Sequence, residues 1–282
     1  MSVRIAIDSA SDITKKEAEQ KNLIFLPMEI QWGKEHYLDG VDLTAKEFFQ
    51  KLIESDVLPK TSQITPYRFE EVITEVLEQG DDLLIITISS KLSGTYFSAV
   101  QAAADYSDRV FVVDSKNACI GERLLIEYAV RLREQGLGAA EIADALESNK
   151  ENICLLALLG TLEYLKKGGR ISPLVAFAGE KLGIKPVISV VDGEVKLLGK
   201  ARGSKVGNNL LMKMVQEAGG IDFSMPYTTA YSGLDDFMLK KYISDSEVLW
   251  NGQTEDIPSF PIGSTIGTHI GPGAIAVAFF KK

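Results

Sequence analysis

Leu83-Leu84-Ile85-Ile86-Thr87-Ile88-Ser89-Ser90-Lys91-Leu92-Ser93-Gly94-Thr95-Tyr96 is the stretch on which the reading of this chain turns. Its first five residues form a short, apolar, β-branched run of the kind that makes a strand buried on both faces. Phe97 to Ala104 follows, rich in alanine and of high helix propensity. A strand therefore ends, a hydroxyl-rich turn intervenes and a helix begins. In open α/β folds that junction lies at the carboxyl edge of the sheet, where ligands usually sit. Unpaired amides at the helix start, beside the hydroxyls of Ser89, Ser90, Ser93 and Thr95, would make an uncharged cradle for an anion. Ser93 or Thr95 serves equally well as a plain helix cap, and spacing alone leaves both readings open.

The same pattern extends on either side. Val3 to Ile7 reads as a first strand that delivers Asp8-Ser9-Ala10-Ser11-Asp12 to its carboxyl end, and a helix over 14–20 starts from Ser11 or Asp12. Asp8 and Asp12 read as turn and cap residues in preference to a metal or acid–base pair, since no third ligand is spaced to join them. A strand over 23–30, a turn over 37–40 and a helix over 43–54 follow. Lys60-Thr61-Ser62-Gln63-Ile64-Thr65 then leads into a helix over 67–79, which Thr65 would cap. Thr61 to Gln63 lie too far upstream for capping. A strand over 110–114 and helices over 121–135 and 139–149 complete an alternation that predicts a doubly wound, mostly parallel sheet.

From about residue 150 the pattern changes. A strand over 153–159, a short helix stopped by Gly168-Gly169 and a helix over 172–182 precede the clearest hairpin signal, Asp192-Gly193 between two strands. A helix over 204–218, a strand near 227–231, a helix over 235–244, a glycine-rich turn and a last strand over 274–280 follow. The fold class is therefore α/β in two domains. Residues 1–150 form the parallel-sheet unit that carries the Thr-Ser-Gln and Ser-Gly-Thr loops, and 151–282 form a mixed-sheet unit.

A formal charge of −9 over 282 residues argues against nucleic acid as a partner. Cys119 and Cys154 fall in or beside apolar segments at no metal-ligand spacing, which suggests buried thiols in a reducing compartment. No segment approaches the roughly 20 apolar residues of a membrane span, so the expectation is a cytoplasmic protein. Phosphate loops and nucleophile elbows are missing, and Gly267 to Gly273 precedes a strand, the wrong order for a dinucleotide fingerprint. Of the two histidines, His36 reads as solvated, whereas His269 lies among glycines that admit a close approach, by ligand or by backbone. Ser93 and His269, with Asp8 as orienter, are conceivable as a serine acyl hydrolase or transferase, although no spacing requires it. Lys166, Lys167, Arg170, Lys200 and Arg202 give the second half a basic character. They are either a solvated face or a clamp for phosphate or an acidic partner.

Taken in order, seven of these pieces resemble the DegV family, bacterial fatty-acid-binding proteins that serve a two-component fatty acid kinase. They are Asp8-Ser9-x-Ser11-Asp12, Thr61-Ser62-Gln63, Ser89-Ser90-x-Leu92-Ser93-Gly94-Thr95-Tyr96, Val113-Asp114-Ser115-Lys116, the run from Leu162 to Ile171, Gly183-Ile184-Lys185-Pro186, and Gly267-x-His269-x-Gly271-Pro272-Gly273-Ala274. The resemblance implies two α/β domains around one buried acyl chain, with no cofactor and no catalysis of its own. It implies that Thr61 and Ser93 hold the carboxylate, with His269 near the head group and Ser62, Gly94 and Thr95 as the supporting loop. Arg170, with Lys200 and Arg202, would form a rim that meets the kinase or the transferred phosphoryl group. The implied partners are a long-chain fatty acid, the kinase subunit, an acyltransferase that takes the product toward phospholipid synthesis, and transiently a membrane. Phe25, Met28, Phe97, Phe177 and Phe279 are candidate tunnel residues, and equally plain core. One departure is Ile64, where the family commonly has proline.

Overall fold

The computed structural model describes residues 2–172 and 183–282. Its elements run β1 (Val3–Asp8), α1 (Lys15–Gln20), β2 (Leu23–Leu26), β3 (Glu29–Trp32), β4 (Glu35–Leu38), α2 (Ala45–Glu54), β5 (Lys60–Ser62) and α3 (Pro66–Glu78). β6 (Asp82–Thr87), α4 (Thr95–Ala103), β7 (Val110–Asp114), α5 (Cys119–Glu134) and α6 (Ala139–Asn149) complete the first half. The second half holds β8 (Ile153–Leu158), α7 (Glu163–Lys167), β9 (Ile184–Val191), β10 (Glu194–Arg202) and α8 (Ser204–Glu217). It ends with β11 (Tyr227–Tyr231), α9 (Phe237–Asp245), β12 (Ser259–Pro261), α10 (Ser264–Ile270) and β13 (Ile275–Phe280).

Three sheets result. β2-β1-β6-β7 is parallel throughout, as the apolar runs required. β10-β9-β8-β13-β11-β12 is mixed, antiparallel except for the β11–β12 pair, and contains the hairpin that turns on Asp192-Gly193. Both turn residues have positive φ, as a tight primed turn demands. The α/β class and the parallel-plus-mixed division are thus as expected. α5 lies between the two large sheets, touching β8, β11 and β13, and one buried core runs through it from Ile5 and Ile85 to Ala157 and Ala276.

The third sheet, β4-β3-β5, was not foreseen. The single strand expected over 23–30 is broken at Pro27, which has no N–H to donate to a ladder, and its two parts join different sheets. Of residues 37–40, expected as a turn, Tyr37 and Leu38 belong to β4 while Gly40 turns with positive φ, and the hairpin reverses at Gly33, whose φ is also positive. Thr61 and Ser62 are paired strand residues of β5, opposite Ile30 and Glu29.

Several caps also differ. Thr14, not Ser11 or Asp12, caps α1, through a bond from Glu17 N–H to its hydroxyl. Thr65 makes no side-chain cap bond to α3, and Gly94 rather than Ser93 or Thr95 occupies the cap of α4. α5 begins at Cys119, two residues earlier than expected. The segment around His269 is helical: α10 precedes the Gly271–Gly273 turn, so His269 sits in a last helical turn and not in a glycine loop. The helix expected over 172–182 lies, apart from Ser172, outside the described residues.

Candidate functional site

Three carboxylates fasten the loops that build the site. Asp8, at the end of β1, accepts from Ala10 N–H at 2.9 Å and from Ile88 N–H at 2.8 Å, fixing the start of the loop that carries Ser93. Asp12 accepts from Gly263 N–H at 2.8 Å, and Asp39 receives the N–H groups of Ser264 and Thr265 at 3.0 and 3.1 Å. Together they hold the amino end of α10, where carboxylates are also favoured by the helix dipole. Glu122 on α5 is buried near Asp8 and Asp12, and among the described residues its two carboxyl oxygens have no hydrogen-bond partner. Burial pushes the Asp8 and Asp12 carboxyls up to about 7 each, against the pull of their N–H donors, and the charge of Asp39 raises them further. Burial, then the charges of Asp8 and Asp12, holds Glu122 well above the ordinary carboxylate range. Asp8 and Asp12 are thus turn and anchoring residues. Among the described residues no three His, Cys, Asp or Glu side chains are placed to hold a metal ion.

The Thr-Ser-Gln and Ser-Gly-Thr loops are bonded to each other. Ile64 N–H donates to Thr95 Oγ1 at 3.2 Å, a bond that proline could not make, and Gln63 Nε2 donates to Ser98 Oγ at 3.0 Å. Gly94 lies against the Gln63 side chain, leaving no room there for a Cβ unless Gln63 moves. Of the four hydroxyls expected to form a cradle, only that of Ser93 reaches the cavity. Ser89 donates to Gly193 O at 2.8 Å and so docks the β9–β10 turn, Ser90 faces Lys116, and Thr95 is engaged with Ile64 and Ser93.

Between these loops and the mixed sheet lies a cavity of about 230 Å³, at the lower edge of ordinary small-molecule pockets. Thr61, Ser62, Ser93, Gly94, Arg170 and His269 all line it. Its remaining wall is chiefly aliphatic, with Ile88, Leu155, Ile188 and Ile266 among the contributors. His269 Nε2 and Thr61 Oγ1 are 2.9 Å apart, whereas His269 Nδ1 is buried against Gly168 and has no partner among the described residues. Burial, and then the nearby Arg170 charge, pushes His269 down to about 4, so the imidazole is neutral near pH 7. Arg170 donates to Leu92 O at 3.2 Å and to Gly168 O at 2.6 Å, tying the Ser93 loop to the turn after α7.

The triad of the alternative reading is not assembled. His269 bonds Thr61 rather than Ser93, and Asp8 is committed to the backbone amides of Ala10 and Ile88. Thr95 supports the cavity from behind without lining it. Lys200 and Arg202 are exposed on edge strand β10, with Arg202 seven residues along from the lining residue Val195. At about 3.3 Å per residue that is roughly 20 Å away. Beside Arg170 stand Lys91 and Lys196 instead, which sequence reasoning missed. Among the tunnel candidates within the described residues only Met28 lines the cavity: Phe25 is absent from the wall, Phe97 is exposed, and Phe279 packs in the separate core on the far face of the mixed sheet. Phe177 lies outside the described residues.

A family model described as uncharacterised protein, DegV family, matches residues 2–282. A DegV domain-containing protein of Clostridium perfringens is 32% identical over 281 residues, covering 99% of each chain. Another, of Caldanaerobacter subterraneus, is 32% identical over 285 residues with the same coverage. Among solved structures, a Thermus thermophilus DegV family protein described as binding fatty acid superposes with a TM-score of 0.88 at 32% identity, covering 99% of this chain and 100% of that one. A stearic acid-binding protein of Eubacterium ventriosum gives 0.83 at 29% identity, covering 99% and 97%. With the motifs in order along the whole chain and both kinds of likeness spanning it, the chain belongs to the DegV family.

Proposed function

We propose that this protein is a carrier that binds one long-chain fatty acid and presents its carboxylate to a partner kinase. The observation that carries the reading is that Thr61, Ser93, His269 and Arg170 all line one cavity whose other walls are mostly aliphatic. A carboxylate there would meet two hydroxyls, a neutral imidazole and one guanidinium, enough to orient it without a cluster of fixed charge that would trap it. Burial of the chain supplies affinity, at up to roughly 0.8 kcal/mol per methylene. The fatty-acid-binding relatives from Thermus and Eubacterium support the ligand class.

The finer reading is that the partner converts the bound acid to an acyl phosphate, which an acyltransferase then takes toward phospholipid synthesis. No cofactor is required of the carrier, and the setting is cytoplasmic with transient membrane contact. Two α/β domains, 1–150 and 151–282, would close on the acyl chain. The partner surface would run from Arg170 along the solvent side of β10, where Lys196, Lys200 and Arg202 are exposed. Arg170 also holds Leu92, next to Ser93, so the cleaner probe of this rim is Arg202→Glu. It should lower phosphorylation of the bound lipid by the kinase and leave fatty-acid affinity unchanged. Equal loss of both would refute the rim. An activated-serine probe separates carrier from hydrolase: a carrier leaves Ser93 unlabelled, and stoichiometric labelling would overturn the reading.

A further inference from the structure

A second hollow, of about 220 Å³, lies on the far face of the mixed sheet. Side chains alternate along a strand. Ala157 and Ala276 therefore face the first cavity, while their neighbours Leu158 and Ile275 floor the second. The first cavity's motifs play no part here. Lys185, Lys205 and Lys241 line this hollow, with Asn208, Phe237 and Met238. Three ammonium groups at one spot in a chain of charge −9 need a reason. Among the described residues Lys185 and Lys205 form no ion pair, and Lys241 pairs with Asp245 at 3.1 Å. The nearest acids at the start of α9 are engaged, Asp236 with Lys240 and Asp235 with Phe237 N–H.

α8 begins at this hollow. It runs 14 residues with no side-chain cap bond and no acidic residue in its first turn, so its free amides and positive dipole end face the lysines. Asn208, one turn in, is the second and independent sign of a ligand. Its side chain is only 8% exposed, and among the described residues it makes no hydrogen bond. Asparagine is a poor helix former, and this residue lines the hollow. Phe237, 70% exposed, and Met238 form an apolar shoulder beside the lysines.

We propose that this hollow binds a phosphate monoester that bears an apolar group. The dianion sits at the start of α8 between Lys185 and Lys205, the Asn208 amide donates to a phosphate oxygen, and the apolar group rests on Phe237 and Met238. Such a group is presented by a lipid headgroup or by a soluble phosphate ester. The proposal does not depend on the occupant of the first cavity.

The test uses the full chain and two probes: hexyl phosphate by calorimetry at low salt, and co-sedimentation with phosphatidylcholine vesicles with and without phosphatidic acid. Lys205 is exposed, so Lys205→Glu leaves the fold intact, and Thr61→Val controls for the first cavity. Saturable hexyl phosphate binding, weakened more than about tenfold by Lys205→Glu and unchanged by Thr61→Val, is the expected result. Co-sedimentation that requires phosphatidic acid and Lys205 would identify a lipid headgroup as the source, and hexyl phosphate binding without it a soluble ester. Failure of both probes to bind would overturn the proposal. So would binding that Lys205→Glu and Lys185→Glu leave unchanged, or binding that Thr61→Val abolishes.

Discussion

Thr61 and His269 lie 208 positions apart in the chain and 2.9 Å apart in space, and that meeting joins β5 to α10 at the cavity wall. Because the imidazole is neutral, the hydrogen bond fixes the orientation of Thr61 without adding charge. Thr61→Val keeps the β-branched shape and deletes the hydroxyl. It should weaken fatty-acid binding by about 1.5–3 kcal/mol, as for a bond to a charged group, measured by displacement of a fluorescent fatty acid. Unchanged affinity would remove Thr61 from the site. Glu122 makes a second residue-scale prediction. Its folded-state proton affinity is raised, so the native state holds a proton that the unfolded chain releases above about pH 4.3. That contribution to stability is fully present below the unfolded pKa and is lost as pH rises. Glu122→Gln removes it, so the stability of the variant relative to the wild type should grow between pH 5 and 7, by up to about 1.4 kcal/mol per pH unit. Thermal unfolding across that range checks it, and a pH-independent difference would contradict it.

At the scale of elements, α10 carries His269 into the cavity and is held by contacts far away in sequence. A Cβ at Gly267 would come within 2.7 Å of Phe48 and 2.9 Å of Phe49, two fully buried rings of α2. Gly267→Ala should therefore destabilise the fold by about 1–3 kcal/mol through overpacking and should loosen fatty-acid binding as His269 is displaced. A neutral substitution in denaturant unfolding would show that α2 and α10 are not packed this way. The same element marks the limit of what the sequence discloses. Thr265, Ile266, Gly267 and Thr268 are poor helix formers, and the helix stands because Asp39 caps it and the Phe48–Phe49 pair supports it. β5 is similar: three polar residues read as a loop until β3 pairs with them. By contrast β1, β6, β7 and the Asp192-Gly193 hairpin were legible, because buried parallel strands and primed turns leave local signatures. Thr61, Ser93, His269 and Arg170 were found through motif order. Lys91 and Lys196 carry no signal of their own, and only the docking of the β9–β10 turn on Ser89 brings them beside Arg170.

At the scale of the whole molecule, one core runs from the parallel sheet through α5 into the mixed sheet, and the first cavity interrupts it between the two. Its wall is largely aliphatic, with the hydroxyls of Thr61 and Ser93 among the lining groups. Among the described residues no helix is long and apolar enough to cross a membrane. The most direct measurement is native mass spectrometry of the freshly purified protein, followed by denaturing extraction and lipid analysis. The account predicts an added mass that resolves to one fatty acid per chain and that is depleted in Thr61→Val. An unliganded mass that does not shift when oleate or palmitate is added would contradict it.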